Sequence, residues 1–184
     1  MSIYLIRHGK TAANEAHLYC GSTDLPLSTG GIAALLDLSY AAIAPSRFVT
    51  SGMRRTDETL AMLFGTVPFT KDSRFREVSF GAFEMHSYEQ LKDRPDYQRW
   101  LTGDNEANTP PGGESGNAMT ARVIEAFSTL EDGTLVVTHG GVIAAIMAHL
   151  FPEEGKNRYQ WQPACGCGYA IDPGRYRPIP TEKL

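Results

Sequence analysis

Two places in this 184-residue chain share one design: a short apolar run delivers a histidine and then a glycine into a helix-capable stretch. Ser2-Ile3-Tyr4-Leu5-Ile6 runs into Arg7-His8-Gly9, and Leu135-Val136-Val137-Thr138 runs into His139-Gly140-Gly141. An imidazole is a nucleophile that titrates near neutral pH, and Arg7 beside it is a fixed cation. Ser51-Gly52-Met53-Arg54-Arg55-Thr56 adds guanidinium groups, and Arg76-Glu77 adds a carboxyl group able to give and take a proton. In a parallel sheet both histidines emerge at the same edge, where open α/β sheets bind ligands. Two imidazoles and at least two guanidiniums beside helix N-termini suit a dianion, most simply a phosphoryl group.

The elements that must position these groups follow from hydrophobic period and turn chemistry. Residues 2–7 read as a strand and 11–18 as a helix, so His8 sits just before a helix N-terminus. Residues 19–27, with Gly21, Asp24 and Pro26, form a loop. Ser28 caps a helix running to about residue 43, with Ile32, Leu35 and Leu36 inward. Residues 47–50 are a second strand, 54–64 a helix with Leu60 and Leu63 inward, and 67–70 a third, edge-like strand. Ser115 caps a helix to about residue 130, with Met119, Val123, Phe127 and Leu130 on one face. Residues 135–138 are fully apolar and central, and two short closing strands turn at Asp172-Pro173-Gly174. Strand and helix alternate, so the sheet is mainly parallel. One domain spans residues 1–184. Residues 72–117 are charged and turn-rich, with Pro95 starting a helical turn, and read as a short lid-like insertion over the sheet edge.

Composition narrows the function classes. Lys plus Arg number 17 and Asp plus Glu 21, a net charge of −4, which is no footprint for nucleic acid or an anionic membrane surface. No apolar run reaches the length of a membrane span and no export signal is visible, so a cytoplasmic enzyme is expected. Cys20, Cys165 and Cys167 are an odd set without a second ligand pair, so neither a disulfide framework nor a metal site is expected.

In order along the chain these segments resemble the histidine phosphatase superfamily, the phosphoglycerate mutase-like branch. Arg7-His8-Gly9-Lys10-Thr11 with Asn14 resembles its signature, with Lys10 where Glu or Gln is usual. Leu18 to Ser22 and Asp24 to Ser28 resemble the second block. Ser51 to Thr56 is similar to the Ser-Pro-x-x-Arg segment, with Gly52 in place of Pro. Glu77 with Phe80-Gly81 and Phe83-Glu84 resembles the Glu-x-x-Phe-Gly block, with Met85 for its last Gly, and Pro111 to Ser115 and Val137 to Gly141 complete the set. The resemblance implies a three-layer α/β/α sandwich of the phosphoglycerate mutase-like kind. It also implies His8 as the nucleophile that forms a phosphohistidine. Arg7, Asn14, Arg54 and His139 would bind the phosphoryl oxygens. Glu77 would protonate the leaving alkoxide and then activate water. No cofactor or metal is implied, because arginines supply the positive charge.

Within the family, the short insertion favours a phosphomonoesterase over a mutase, since a mutase must keep water from the phosphohistidine. The Leu-Tyr-x-Gly and Pro-Gly-Gly-Glu-Ser segments most resemble α-ribazole-5′-phosphate phosphatases of cobalamin synthesis, and broad-specificity phosphatases share much of this pattern. The substrate is then a small phosphate monoester. A phosphate-binding module without turnover is the contrasting reading. Arg55 and Lys10 are assigned to the surface, and Glu114-Ser115 to a helix start. His17, His86 and His149 are structural or surface residues. Tyr88, Tyr97 and Trp100 either pack helices or line the lid. Glu84 is the competing choice for the acid, and oligomeric state is left open.

Overall fold

Leu5 and Ile6 are consecutive and both fully buried, which a strand achieves only when both faces of its sheet are covered. The computed structural model describes residues 1–180; the last four positions of the expected 1–184 domain lie outside the described residues. Its strands are β1 (Ile3–Arg7), β2 (Arg47–Thr50), β3 (Thr70–Lys71), β4 (Thr134–Thr138), β5 (Gly168–Asp172) and β6 (Arg175–Ile179). Its helices are α1 (Ala12–Glu15), α2 (Thr29–Leu36), α3 (Arg54–Phe64), α4 (Tyr88–Leu91), α5 (Pro95–Leu101), α6 (Gly116–Ser128), α7 (Gly140–Leu150) and α8 (Arg158–Trp161).

The six strands form one sheet in the order β3-β2-β4-β1-β5-β6. The first four are mutually parallel, and β5 and β6 close the sheet, with β5 antiparallel to β1 and β6 antiparallel to β5. Side chains alternate across it with period two. Ile3, Leu5 and Val136 pack with Met119 and Val123 of α6 and with Val142 and Ile146 of α7. Ile6, Leu135 and Val137 pack on the opposite face with Leu60 of α3 and with Tyr40. The fold is thus α/β, with a mostly parallel sheet between two helical layers. Among the described residues no helix is long and apolar enough to cross a membrane.

Three local expectations change. The helix after Ser28 ends at Leu36 with Asp37 as its cap, and Tyr40 rather than a further turn fills the core below. That short helix buries only Leu35 of its three apolar candidates; Ile32 is 38% and Leu36 61% exposed. The strand expected over 67–70 shrinks to Thr70–Lys71, because Pro68 cannot donate to a ladder. Residues 72–117 build a small apolar cluster of their own from Phe83, Leu91 and Tyr97, with Tyr19, Phe80 and Trp100 packed against it.

Leu135→Ala should cost about 2–5 kcal/mol, the usual loss for emptying a closed core site. Leu36→Ala should change stability by no more than about 0.5 kcal/mol. Urea unfolding reads both; equal effects would contradict the burial pattern.

Candidate active site

The pairing of β1 with β4 sets the geometry of the site. Arg7 lies opposite Thr138 in register, and the His8 N–H donates to the Thr138 carbonyl at 2.9 Å. The next residue on each strand is a histidine, and the two rings lie 5.1 Å apart at 62°. Both are buried, His8 6% and His139 0% exposed.

Hydrogen-bond directions define the tautomer of each ring. The His8 Nδ1 lies 2.7 Å from the Gly9 carbonyl, which can only accept, so Nδ1 carries the proton. In the neutral ring Nε2 then holds a free lone pair. At His139 the order is reversed. Arg55 Nε, which can only donate, reaches His139 Nδ1 at 3.3 Å, so the proton sits on Nε2. That N–H donates to Ser51 Oγ at 2.9 Å. Thr56 donates its hydroxyl proton to the Met53 carbonyl, which leaves Thr56 Oγ1 to accept from Ser51 and Ser51 to accept from His139.

Burial, then the charge of Arg55 and to a lesser degree Arg7, push the His8 pKa down to about 3, against the pull of the Gly9 hydrogen bond. Burial and the same arginines, with Arg55 the stronger, hold His139 well below its ordinary value. Both rings are therefore neutral at physiological pH, as a nucleophile must be.

The cation beside the histidines is Arg55, and this corrects the expectation for Arg54. Helical neighbours point about 100° apart, so one of two consecutive arginines can face the sheet. The buried face of α3 carries Arg55, Thr56, Thr59 and Leu60. Arg55 is 1% exposed and donates to His139, to the Thr23 carbonyl at 2.8 Å and to the Gly21 carbonyl at 2.7 Å. These bonds use three of its five N–H groups. Arg54 is exposed and pairs with Glu58 at 2.6 Å, while its backbone N–H binds Asp24. Spacing could have shown this: counted from Ser51, the Ser-Pro-x-x-Arg segment reaches position 55.

Arg7 donates to the Pro163 carbonyl at 2.9 Å, and its Nε is buried without a partner among the described residues. A buried donor of that kind calls for an acceptor, and an oxyanion supplies one. Asn14 closes the capping box of α1, its amide oxygen accepting from the Thr11 backbone at 2.9 Å, which leaves its NH2 to donate. Lys10 is exposed, as expected.

Glu77 lies at the first turn of α7, where its Oε2 accepts from the Gly141 N–H at 2.9 Å. It reaches there because Arg122 of α6, gripped by both oxygens of Glu114, donates to the carbonyls of Arg74, Arg76 and Glu77. Glu114 is thus more than a helix start, and Arg122, which no sequence motif singles out, holds the backbone of Glu77 in place. Glu84 is occupied elsewhere. Burial works against its charge, but donors from Thr23, Phe80, Ser22 and Gly21 hold its carboxyl below the ordinary range. It clamps the backbone of residues 21–23 and has no proton to give.

Beside Glu77 opens a cavity of about 250 Å³ lined by Tyr19, Phe80, Trp100, Gly141 and Gln162. Trp100 therefore lines this cavity, whereas Tyr97 is buried in packing and Tyr88 is exposed. A larger cavity, about 530 Å³, lies between β2, β3 and the 129–134 turn; neither histidine lines either cavity, and of the two only the smaller one is lined by Glu77.

The family profile of the Histidine phosphatase superfamily (branch 1) matches residues 3–179. The chain belongs to that superfamily. It is 32% identical over 184 residues to the Adenosylcobalamin/alpha-ribazole phosphatase of Salmonella typhimurium, covering 94% of this chain and 90% of that protein. A solved structure from Escherichia coli K-12, described as a candidate alpha-ribazole-5′-P phosphatase, superposes with a TM-score of 0.83 at 26% identity over 97% of this chain and 94% of that one. Another, a phosphoglycerate mutase from Thermus thermophilus, gives a TM-score of 0.77 at 30% identity over 100% and 98%.

Two histidines kept neutral by burial make the fold sensitive to acid. Below the unfolded value of 6.5 the unfolded chain takes up protons that the folded His8 refuses until about pH 3. Stability should therefore fall as pH drops through that window, by up to about 1.4 kcal/mol per unit for each histidine. Urea midpoints at pH 7 and pH 5 should differ less in His8→Gln than in the parent; an identical pH dependence would contradict the buried neutral ring.

Proposed function

We propose that the protein is a metal-independent phosphomonoesterase that works through a phosphohistidine on His8. The observation that carries this reading is the Nδ1–H bond to Gly9, which leaves the Nε2 lone pair free on a ring that feels the charge of the buried Arg55 guanidinium. His8 Nε2 attacks phosphorus and the ester P–O bond breaks. Arg7, Arg55, Asn14 and His139 take up the charge on the non-bridging oxygens. His139 must exchange one of its present hydrogen bonds to do so. Glu77 gives its proton to the departing alkoxide, then receives one from the water that attacks the phosphohistidine. The P–N bond breaks and His8 returns as the neutral ring.

The aromatic lining of the cavity beside Glu77 suits a planar leaving group. With the Salmonella relative's name, this supports an α-ribazole 5′-phosphate type of substrate. A mutase reading draws on the Thermus structure, which is called a phosphoglycerate mutase. Phosphoglycerate exchange assayed beside hydrolysis separates the two.

Hydrolysis of p-nitrophenyl phosphate should persist in EDTA and vanish in His8→Ala. Glu77→Gln should slow it about 10²–10⁴-fold, the span of a general-acid contribution. Sensitivity to EDTA, or activity retained without the His8 ring, would overturn the mechanism.

Arg55→Ala should lower kcat about 10²–10³-fold, as loss of an oxyanion donor does. Arg54→Ala should leave kcat within a few-fold. The reverse ranking would return the phosphate contact to Arg54.

A further inference from the structure

On the outer side of the 250 Å³ cavity lies a second one, about 560 Å³, bounded by Asn117 and Thr120 of α6 and by Ala144, Ala148 and His149 of α7. Four residues line both cavities: Asn105, Glu106, Arg158 and Tyr159. A residue that faces two cavities stands between them. Glu106 and Arg158 form an ion pair across that partition, both carboxylate oxygens meeting one guanidinium nitrogen. We propose that Glu106 and Arg158 set the size of leaving group the site accepts: paired, they confine it to the inner cavity; parted, they join the two cavities into one. This rests on the phosphomonoesterase reading.

The surrounding structure is built to hold this partition in place. Asn108 donates to the carbonyls of Arg99, Trp100 and Thr102 and ties its loop to the end of α5. The Asn117 N–H donates to the Glu106 carbonyl at 2.9 Å, so the backbone at 106 is anchored to α6. A Cβ at Gly116 would run into the Glu106 carboxylate, so only glycine lets that group lie against the first turn of α6. There the helix N-terminus favours a negative charge. The backbone is thus pinned and the side chains are the movable part. Arg158 and Glu106 are 26% and 35% exposed, so water reaches both ends of the pair and weakens it. Alone, the inner cavity is smaller than the ~300–1,000 Å³ usual for organic ligands, and joined to the outer one it falls inside that range.

The test compares kcat/KM for a bulky ester, riboflavin 5′-phosphate, with that for p-nitrophenyl phosphate. Glu106→Ala and Arg158→Ala should each raise the bulky-to-small ratio about tenfold or more, the size of discrimination a pocket wall supplies. Arg158→Lys, which keeps the pair, should keep the parent ratio. The two alanine variants change net charge in opposite directions, so an electrostatic effect on a dianionic substrate would move absolute rates oppositely and leave the ratio alone. A ratio unchanged in both alanine variants, whatever happens to absolute rates, overturns the proposal. A parent protein that hydrolyses neither ester would instead overturn the phosphomonoesterase reading.

Discussion

The parallel register of β1 on β4, with Arg7 opposite Thr138, is the constraint from which the site is derived. Strand side chains alternate, so a slip of one residue would turn His8 or His139 to the other side of its strand. The register is held from both faces. Leu5 and Val136 serve one helical layer, and Ile6 and Val137 the other. A slip would bury Arg7 in place of Ile6, so the same apolar surface that stabilises the sheet also pairs the two rings.

Once paired, the rings are brought to different chemical states by groups that can only accept or only donate. The Gly9 carbonyl places the His8 proton on Nδ1 and frees Nε2. Arg55 does the opposite at His139, and the Ser51, Thr56 and Met53 chain completes the assignment. Arg55 also ties the site to the chain between the first two helices, through the carbonyls of Gly21 and Thr23. Glu84 holds the amides of residues 21–23. A short loop is thus gripped by a cation on its carbonyls and an anion on its N–H groups. Gly21 is required there, because a Cβ would strike the Val78 carbonyl. Arg55 is in this way fixed by the fold on three sides.

Much of this was legible in the residues. The two strand-His-Gly runs marked the sheet edge because strand-to-helix turns have few physical solutions, and the apolar run Leu135-Val136-Val137, followed by β-branched Thr138, suits a central strand. What stayed hidden was orientation and long-range support. Propensity could not choose between Arg54 and Arg55, because both suit a first helical turn; the spacing from Ser51 favours 55, and packing on the sheet buries it. Leu36 looked like core by period, yet the helix stopped before that face met anything. Nothing in the pattern of the amphipathic helix α6 sets Arg122 apart from any other surface charge. Its partners, the carbonyls of residues 74, 76 and 77, come from a segment with no pattern of its own.

That last contact explains how a carboxyl group in an irregular loop can hold a defined position. Loops are mobile where their backbone polar groups face water. The stretch before Glu77 has three consecutive anchors instead. Thr138 of β4 donates to the Phe75 carbonyl at 2.7 Å, and Arg122 reaches the carbonyls on either side of it. Glu114 neutralises and orients Arg122 through two parallel hydrogen bonds, a geometry with little freedom. The Glu77 side chain then has only its own torsions left, and the Gly141 N–H takes one oxygen. Gly141 permits that approach, since a Cβ there would come within 2.5 Å of Glu77 Oε1. Gly141 therefore serves more than the turn: it opens space at the helix start for the Glu77 carboxyl group, while Gly140 makes room for Arg7.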